Sequence, residues 1–173
     1  MKMLMLGGNY SKNREWLNEI RNVLSDLFEE IIIHEYKHWK EGGDINWDEE
    51  IKAISKYSTE KKLVIFAKSA GASLAIKAIK ERAIKPFKSI FFGLPISWSI
   101  ERGNNLGENL EGYSVPTMFI QQTADPYASF DELKNLILKS KVKNYELVEI
   151  PGDTHSYRDI KKIRELVLRF IKS

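Results

Sequence analysis

The hydropathy of the chain alternates between two rhythms. Short apolar runs bounded by turn residues are followed by segments whose apolar positions recur at spacings of three and four. The runs MKMLMLG, EEIIIHEY, KLVIFAKS, KSIFFGLPI, PTMFIQQT and NYELVEIP predict six strands. Most are apolar on both faces, the pattern of strands covered by helices on two sides. Between them, Trp16, Leu17, Ile20, Val23, Leu24 and Leu27 form one helical stripe, and Trp47, Ile51 and Ile54 a second. Leu74, Ala75, Ala78 and Ile79 form a third, directly after Ser69. Leu133, Leu136 and Ile137 follow SFDE, where Ser129 and Glu132 have capping-box spacing. Ile160, Ile163, Val167 and Phe170 mark the last helix, with Ser156 as its candidate cap.

This alternation predicts an α/β fold, a three-layer sandwich of parallel strands with right-handed crossovers and helices on both faces. No repeat, low-complexity tract or linker interrupts it, so residues 1–173 are expected to form one domain. The exception to the rhythm is SWSIERGNNLGENLEGYS, residues 97–114, polar and rich in Gly and Asn, with room for at most one short helix. In an open parallel sheet such a loop falls near the carboxyl ends of the strands, where ligands bind.

Composition narrows the classes. With 27 Lys and Arg against 24 Asp and Glu, the chain lacks the charge imbalance of a nucleic-acid or membrane binder. It has no cysteine, which excludes disulfides, Cys-ligated zinc and a thiol nucleophile. No apolar run reaches the length of a membrane span. The opening MKMLMLGG is too short an apolar region for a signal peptide and reads as a strand, so the cytoplasm is the expected location. The basic run KAIKERAIKPFK reads as the wet face of a helix.

The candidate chemistry centres on AKSAG, where the third strand runs into the third helix. Gly-x-Ser-x-Gly at such a junction is a nucleophile elbow, a sharp turn that lifts the serine hydroxyl above the sheet. Here Ala67 stands for the first glycine and Gly71 keeps the second. A serine is a poor nucleophile without a base, which should be a histidine oriented by a carboxylate. His155, in VEIPGDTHSY, follows the last strand, and Asp125, in FIQQTADPYAS, follows the fifth. Ser69, Asp125 and His155 thus come in the order Ser–Asp–His, each at the carboxyl end of a different strand.

In these three segments the chain resembles the alpha/beta-hydrolase superfamily over nearly its whole length, in particular small members without a cap domain. The resemblance implies Ser69 as nucleophile, His155 as general base and then acid, and Asp125 as the orienting carboxylate. It implies an oxyanion hole with one donor from the amide of Ala70 and the second from Gly8 or Asn9 in LGGNYSKN, where the family often has a His-Gly pair. It further implies a six-stranded core in the order 2-1-3-4-5-6, without the family's first two strands, and a lid position holding only residues 97–114. The expected activity is hydrolysis of an ester, thioester or related small acyl compound, with neither cofactor nor metal.

Each residue has a plainer reading beside this one. Ser69 can serve as a helix N-cap, and Asp125 before Pro126 can simply open a turn. Asp131 and Asp153 are rival acids, the first expected early in a helix, the second too near His155 in sequence to reach round its ring. Lys68, at the elbow's variable position, either touches substrate or is a solvated or ion-paired lysine. Trp98 and Tyr127 either line an apolar pocket or anchor loops. His34 and His38 read as exposed or packing residues. Two other functions compete: a non-catalytic binding or scaffold protein on the same fold, and a flavodoxin-like nucleotide binder suggested by GGN after the first strand. The latter lacks G-x-G-x-x-G.

Overall fold

A computed structural model describes residues 1–173. Six parallel strands run as β1 (Lys2–Leu6), β2 (Glu30–Ile33), β3 (Leu63–Lys68), β4 (Lys88–Phe92), β5 (Thr117–Gln122) and β6 (Tyr145–Ile150). Their order across the sheet is β2-β1-β3-β4-β5-β6, as expected. The four inner strands are almost wholly buried and the edge strands β2 and β6 only partly, which is why the inner four carry the continuous apolar runs.

Alternation along each strand divides the core in two. Met3, Met5, Val64, Phe66, Ile90, Phe92, Met118 and Ile120 face α1 (Asn13–Leu24) and α8 (Ile160–Lys172). Leu4, Leu6, Ile65, Ala67, Phe91 and Phe119 face α3 (Trp47–Ile54), α4 (Ala70–Lys80), α6 (Leu106–Leu110) and α7 (Phe130–Lys139). The period of two that separates these sets is the pleat itself. α7 begins with the anticipated capping box: Ser129 accepts from the Glu132 amide while Glu132 reaches back to the Ser129 amide.

Four local expectations need correction. The stretch after β4 forms two short helices, α5 (Ile96–Glu101) and α6, because Asn105 caps the second by accepting from the Gly107 and Glu108 amides. They take the place of a lid domain. The last helix is capped by Asp159, which accepts from the Lys162 amide, and not by Ser156. A short helix α2 (His38–Glu41) follows β2 and is not among the five predicted helices. The basic run KAIKERAIKPFK is not one wet helix face: α4 ends at Lys80, and Lys88 is buried at the start of β4, its ammonium donating to the Phe170 carbonyl at 2.7 Å. No helix is long and apolar enough to cross a membrane.

Candidate active site

The turn from β3 into α4 is tight for a steric reason. A Cβ on Gly71 would sit 2.5 Å from the Gly7 carbonyl oxygen and 2.6 Å from the Leu6 carbonyl carbon. The first turn of α4 therefore lies directly on the exit of β1, a distance only glycine permits. Ser69 absorbs the resulting bend. Its backbone has φ 55° and ψ −125°, a conformation that typically costs a non-glycine residue about 1–3 kcal/mol. It is pinned there because its amide donates to the Phe92 carbonyl at 2.9 Å and its own carbonyl accepts from the Ala72 and Ser73 amides. Ala67 pairs between Leu6 and Phe91, and its extra methyl is absorbed into the apolar layer under α4.

The other two candidate residues arrive on neighbouring loops. Ser69 Oγ lies 2.9 Å from His155 Nε2. On the far side of the ring, Nδ1 lies 2.7 Å from Asp125 Oδ2 and 3.0 Å from Oδ1. With Nδ1–H donating to the carboxylate, Nε2 carries the lone pair and accepts from the Ser69 hydroxyl. The rival carboxylates stay away: Asp131 is exposed in the first turn of α7, and Asp153 is exposed in the loop before His155.

Asp125 is buried and fully occupied. Besides His155 it accepts from the Tyr127 amide at 3.0 Å and from the Tyr157 hydroxyl at 3.0 Å. Burial, reinforced by the Asp125 charge, pushes the Tyr157 phenol well above its ordinary range, so it remains a donor. The same hydroxyl accepts from the Gln122 amide at 3.1 Å. Gln122 then fastens the histidine loop: its Oε1 accepts from the Thr154 and His155 amides, both at 2.9 Å, and its Nε2 donates to the Ser156 carbonyl at 2.7 Å. Gln121 does the same for the acid loop, accepting from the Leu94 amide and donating to the Ala128 carbonyl.

Neither Gly8 nor Asn9 donates its amide to a backbone or side-chain acceptor. Their carbonyls and that of Gly7 are tied on one side. Tyr36 Oη donates to Gly7 at 3.0 Å, Trp39 Nε1 to Gly8 at 3.3 Å and to Asn9 at 3.2 Å, and His38 Nε2 to Asn9 at 2.8 Å. Because a trans peptide is planar, a carbonyl drawn toward those rings turns the following amide the opposite way. The anchors of Gly7 and Gly8 thus aim the Gly8 and Asn9 amides away from the aromatic cluster, and both residues line the cleft. The Asn9 side chain is fixed as well, donating to Asp44 Oδ1 at 2.7 Å and accepting from the Ile45 amide at 3.0 Å. Ala70 is buried at the first position of α4, where an amide has no partner within its helix.

Ser69 and His155 open on a cavity of about 190 Å³ whose walls include Gly8, Asn9, Lys12, Lys68, Trp98 and Tyr127. The Tyr127 ring lies 4.6 Å from that of His155, centre to centre. Trp98 both lines the cleft and anchors α5, packing edge-on to Trp47 at 6.0 Å with the Arg102 guanidinium 4.2 Å over its ring. His34 and His38 are both buried, not exposed: His34 Nε2 lies 2.6 Å from Glu50 Oε2, and His38 holds Asn9.

Sequence reasoning missed Tyr157, Gln121, Gln122 and the Tyr36–His38–Trp39 cluster. One signal was available: two consecutive amides end an otherwise apolar buried strand, and buried amides demand partners. The aromatic cluster gave none, since its partners are backbone carbonyls far away in sequence.

Comparison with known proteins agrees with this architecture. Residues 44–167 match the model of an "Alpha/beta hydrolase domain" family. By sequence, no curated protein matches the chain. Among solved structures it is similar to a monoacylglycerol lipase of Paleococcus ferrophilus, with TM-score 0.75 and 14% identity over 98% of this chain and 93% of that one. It is similar to the esterase Pf2001 of Pyrococcus furiosus, with TM-score 0.77 and 16% identity over 99% and 80%. It is also similar to Est1E of Butyrivibrio proteoclasticus, solved with ferulic acid, with TM-score 0.73 and 14% identity over 99% and 90%. Likeness at such identities speaks to the fold alone. The family match spans well over half of the chain and agrees with the sheet order and the elbow at Ser69, and the chain belongs to the alpha/beta hydrolase family.

Proposed function

We propose that the protein is a serine hydrolase acting on an ester, thioester or related acyl compound. The observation that carries this reading is the unbroken run of hydrogen bonds from Ser69 Oγ through the His155 ring to Asp125, at 2.9 and 2.7 Å. In this reading Ser69 Oγ attacks the substrate carbonyl carbon while His155 Nε2 takes the hydroxyl proton. The tetrahedral oxyanion is met by the Ala70 amide and by the amide of Gly8 or Asn9. His155 then gives its proton to the departing alcohol or thiol. Water, deprotonated by the same nitrogen, releases the acid and restores Ser69. Asp125 keeps Nδ1 protonated and the ring upright throughout, and Tyr157 and the Tyr127 amide hold Asp125 in turn. The strained Ser69 backbone and the anchored Gly7–Asn9 carbonyls support the same reading, since both prepare geometry in advance of substrate.

A fluorophosphonate probe tests this. Wild-type protein should be labelled at one site per chain, and Ser69→Ala should lose the label. A folded wild-type sample that stays unlabelled, and that leaves short-chain p-nitrophenyl esters intact, overturns the reading in favour of a non-catalytic binding protein on this fold.

A further inference from the structure

The cleft carries a charge that acyl transfer by itself does not need. Among the residues lining it, only Lys12 and Lys68 are charged, and both are cations. The chain as a whole is nearly balanced, with 27 basic residues against 24 acidic ones. Asp125, behind the wall, has its oxygens taken by His155, Tyr127 and Tyr157.

Lys68 is the last residue of β3 and adjoins the nucleophile directly. Its ammonium stands 5.3 Å from the centre of the Trp16 ring and 3.4 Å from Asn13 Oδ1, so it meets an indole face and a neutral amide in place of a carboxylate. Burial is the main cause that lowers its pKa from 10.5 to about 8; Asp125 opposes the drop, and the positive charges of Lys12 and Arg158 add to it. Buried charges are ordinarily paired, because an unpaired one sacrifices its hydration with little in return. Lys12 reinforces the same corner, its ammonium 5.8 Å from the Tyr10 ring centre. The natural complement of this corner is an anion that arrives with the ligand. A lysine offers a compact point charge that takes a carboxylate or a phosphate.

Resting on the serine hydrolase reading of Ser69, we propose that Lys68 and Lys12 form an anion subsite and that the substrate is an acyl compound with a carboxylate or phosphate group near its scissile carbonyl. A neutral analogue would leave the desolvated lysine unpaired as it displaces water, and sites of this kind discriminate strongly against such analogues.

The test compares mono-p-nitrophenyl glutarate with p-nitrophenyl valerate, acyl groups of equal length that differ by one terminal charge. Wild-type protein should prefer the anionic ester at least tenfold in kcat/KM. That preference should fall to near unity in Lys68→Met, persist in Lys68→Arg and shrink in Lys12→Met. Equal rates for the two wild-type reactions, or a preference that survives Lys68→Met, overturn the subsite. Calorimetric titration of glutarate and of inorganic phosphate into wild-type and Lys68→Met protein reads the subsite without turnover. Saturable binding lost in Lys68→Met supports it even if no ester is cleaved, in which case only the hydrolase reading falls. Ester cleavage with neither charge preference nor anion binding overturns the subsite alone. Whichever anion binds more tightly identifies the carboxylate or the phosphate as the recognised group.

Discussion

A lysine held in the cleft at the expense of stability should reveal that expense when it is removed. Lys68→Met retains an unbranched stem against Trp16 and deletes the charge, so packing changes little. The magnitude follows from linkage. The native pKa of about 8 lies below the ordinary 10.5, so the folded protein releases this proton before the unfolded chain does. Below pH 8 both states are protonated and the full penalty applies. Between pH 8 and 10.5 the unfolded state binds more protons, so wild-type stability rises with pH across that window. At 1.36 kcal/mol per pH unit the penalty is about 3 kcal/mol at pH 7 and about 1 kcal/mol at pH 10. Lys68→Met should therefore be more stable than wild type by up to about 3 kcal/mol at pH 7, a large share of the roughly 5–15 kcal/mol typical of a domain. The advantage should shrink by about 2 kcal/mol at pH 10. Urea denaturation of both proteins at the two pH values measures this directly, because general effects of alkali cancel in the difference. A gain that is the same at both, or a variant less stable than wild type at pH 7 with no change by pH 10, refutes the reasoning.

Three further outcomes are expected. Tyr157→Phe removes a donor from Asp125 and an acceptor from the Gln122 amide, so steady-state kinetics should give a kcat about tenfold lower with little change in KM, in line with the roughly 1.5–3 kcal/mol of a hydrogen bond to a charged group. A kcat equal to wild type would contradict the role assigned to that hydroxyl. Gly71→Ala drives a methyl into the Leu6–Gly7 backbone and should destabilise the fold by about 3 kcal/mol, read from the denaturation midpoint; a midpoint like that of wild type would mean that α4 can lift off β1 freely. Trp39→Phe keeps a six-membered aromatic ring but loses the pyrrole half and with it the N–H tether to the Gly8 and Asn9 carbonyls, so kcat should fall about tenfold, a fraction of the roughly hundredfold or greater loss when an oxyanion donor is removed outright; unchanged kcat would leave the aromatic cluster without a role in aiming the Gly8 and Asn9 amides.

The fold was legible because its causes are local and repeated. Runs such as LVIFA and SIFF are apolar on both faces and can be satisfied only by helices above and below. Ala70 and Gly71 were legible for a related reason: a helix that starts on top of a neighbouring strand tolerates only small residues in its first turn. The cap of α8 was harder to read, since Ser156 and Asp159 are both competent N-cap residues and only the path of the loop decides between them. Least legible were the groups that hold the site in shape. Tyr157 acts on Asp125 from 32 residues away, and Tyr36 on Gly7 from 29. Both are aromatic residues that any core would accept, and nothing in their own neighbourhood marks them as donors.

The sheet order explains how the distant pieces meet. Gln122 at the end of β5 pairs with Ile150 at the end of β6, so the loops that carry Asp125 and His155 leave the sheet side by side. Ser69 leaves from β3, with β4 standing between. The imidazole must therefore lean across the exit of β4 to touch the serine. At that exit stands Gly93, with φ +57°, where a Cβ would come within 2.9 Å of His155 Cε1 and 2.8 Å of Tyr157 Cε2. The gap at Gly93 is the passage through which the His155 ring reaches Ser69, while the Gly93 amide, donating to the Ile120 carbonyl, keeps β4 tied to β5. A hydrogen-bonded line of serine, histidine and carboxylate on this sheet thus depends on a fourth element that donates nothing to the line itself. In sequence that element is a lone glycine after IFF, indistinguishable from an ordinary turn until the strand order is known.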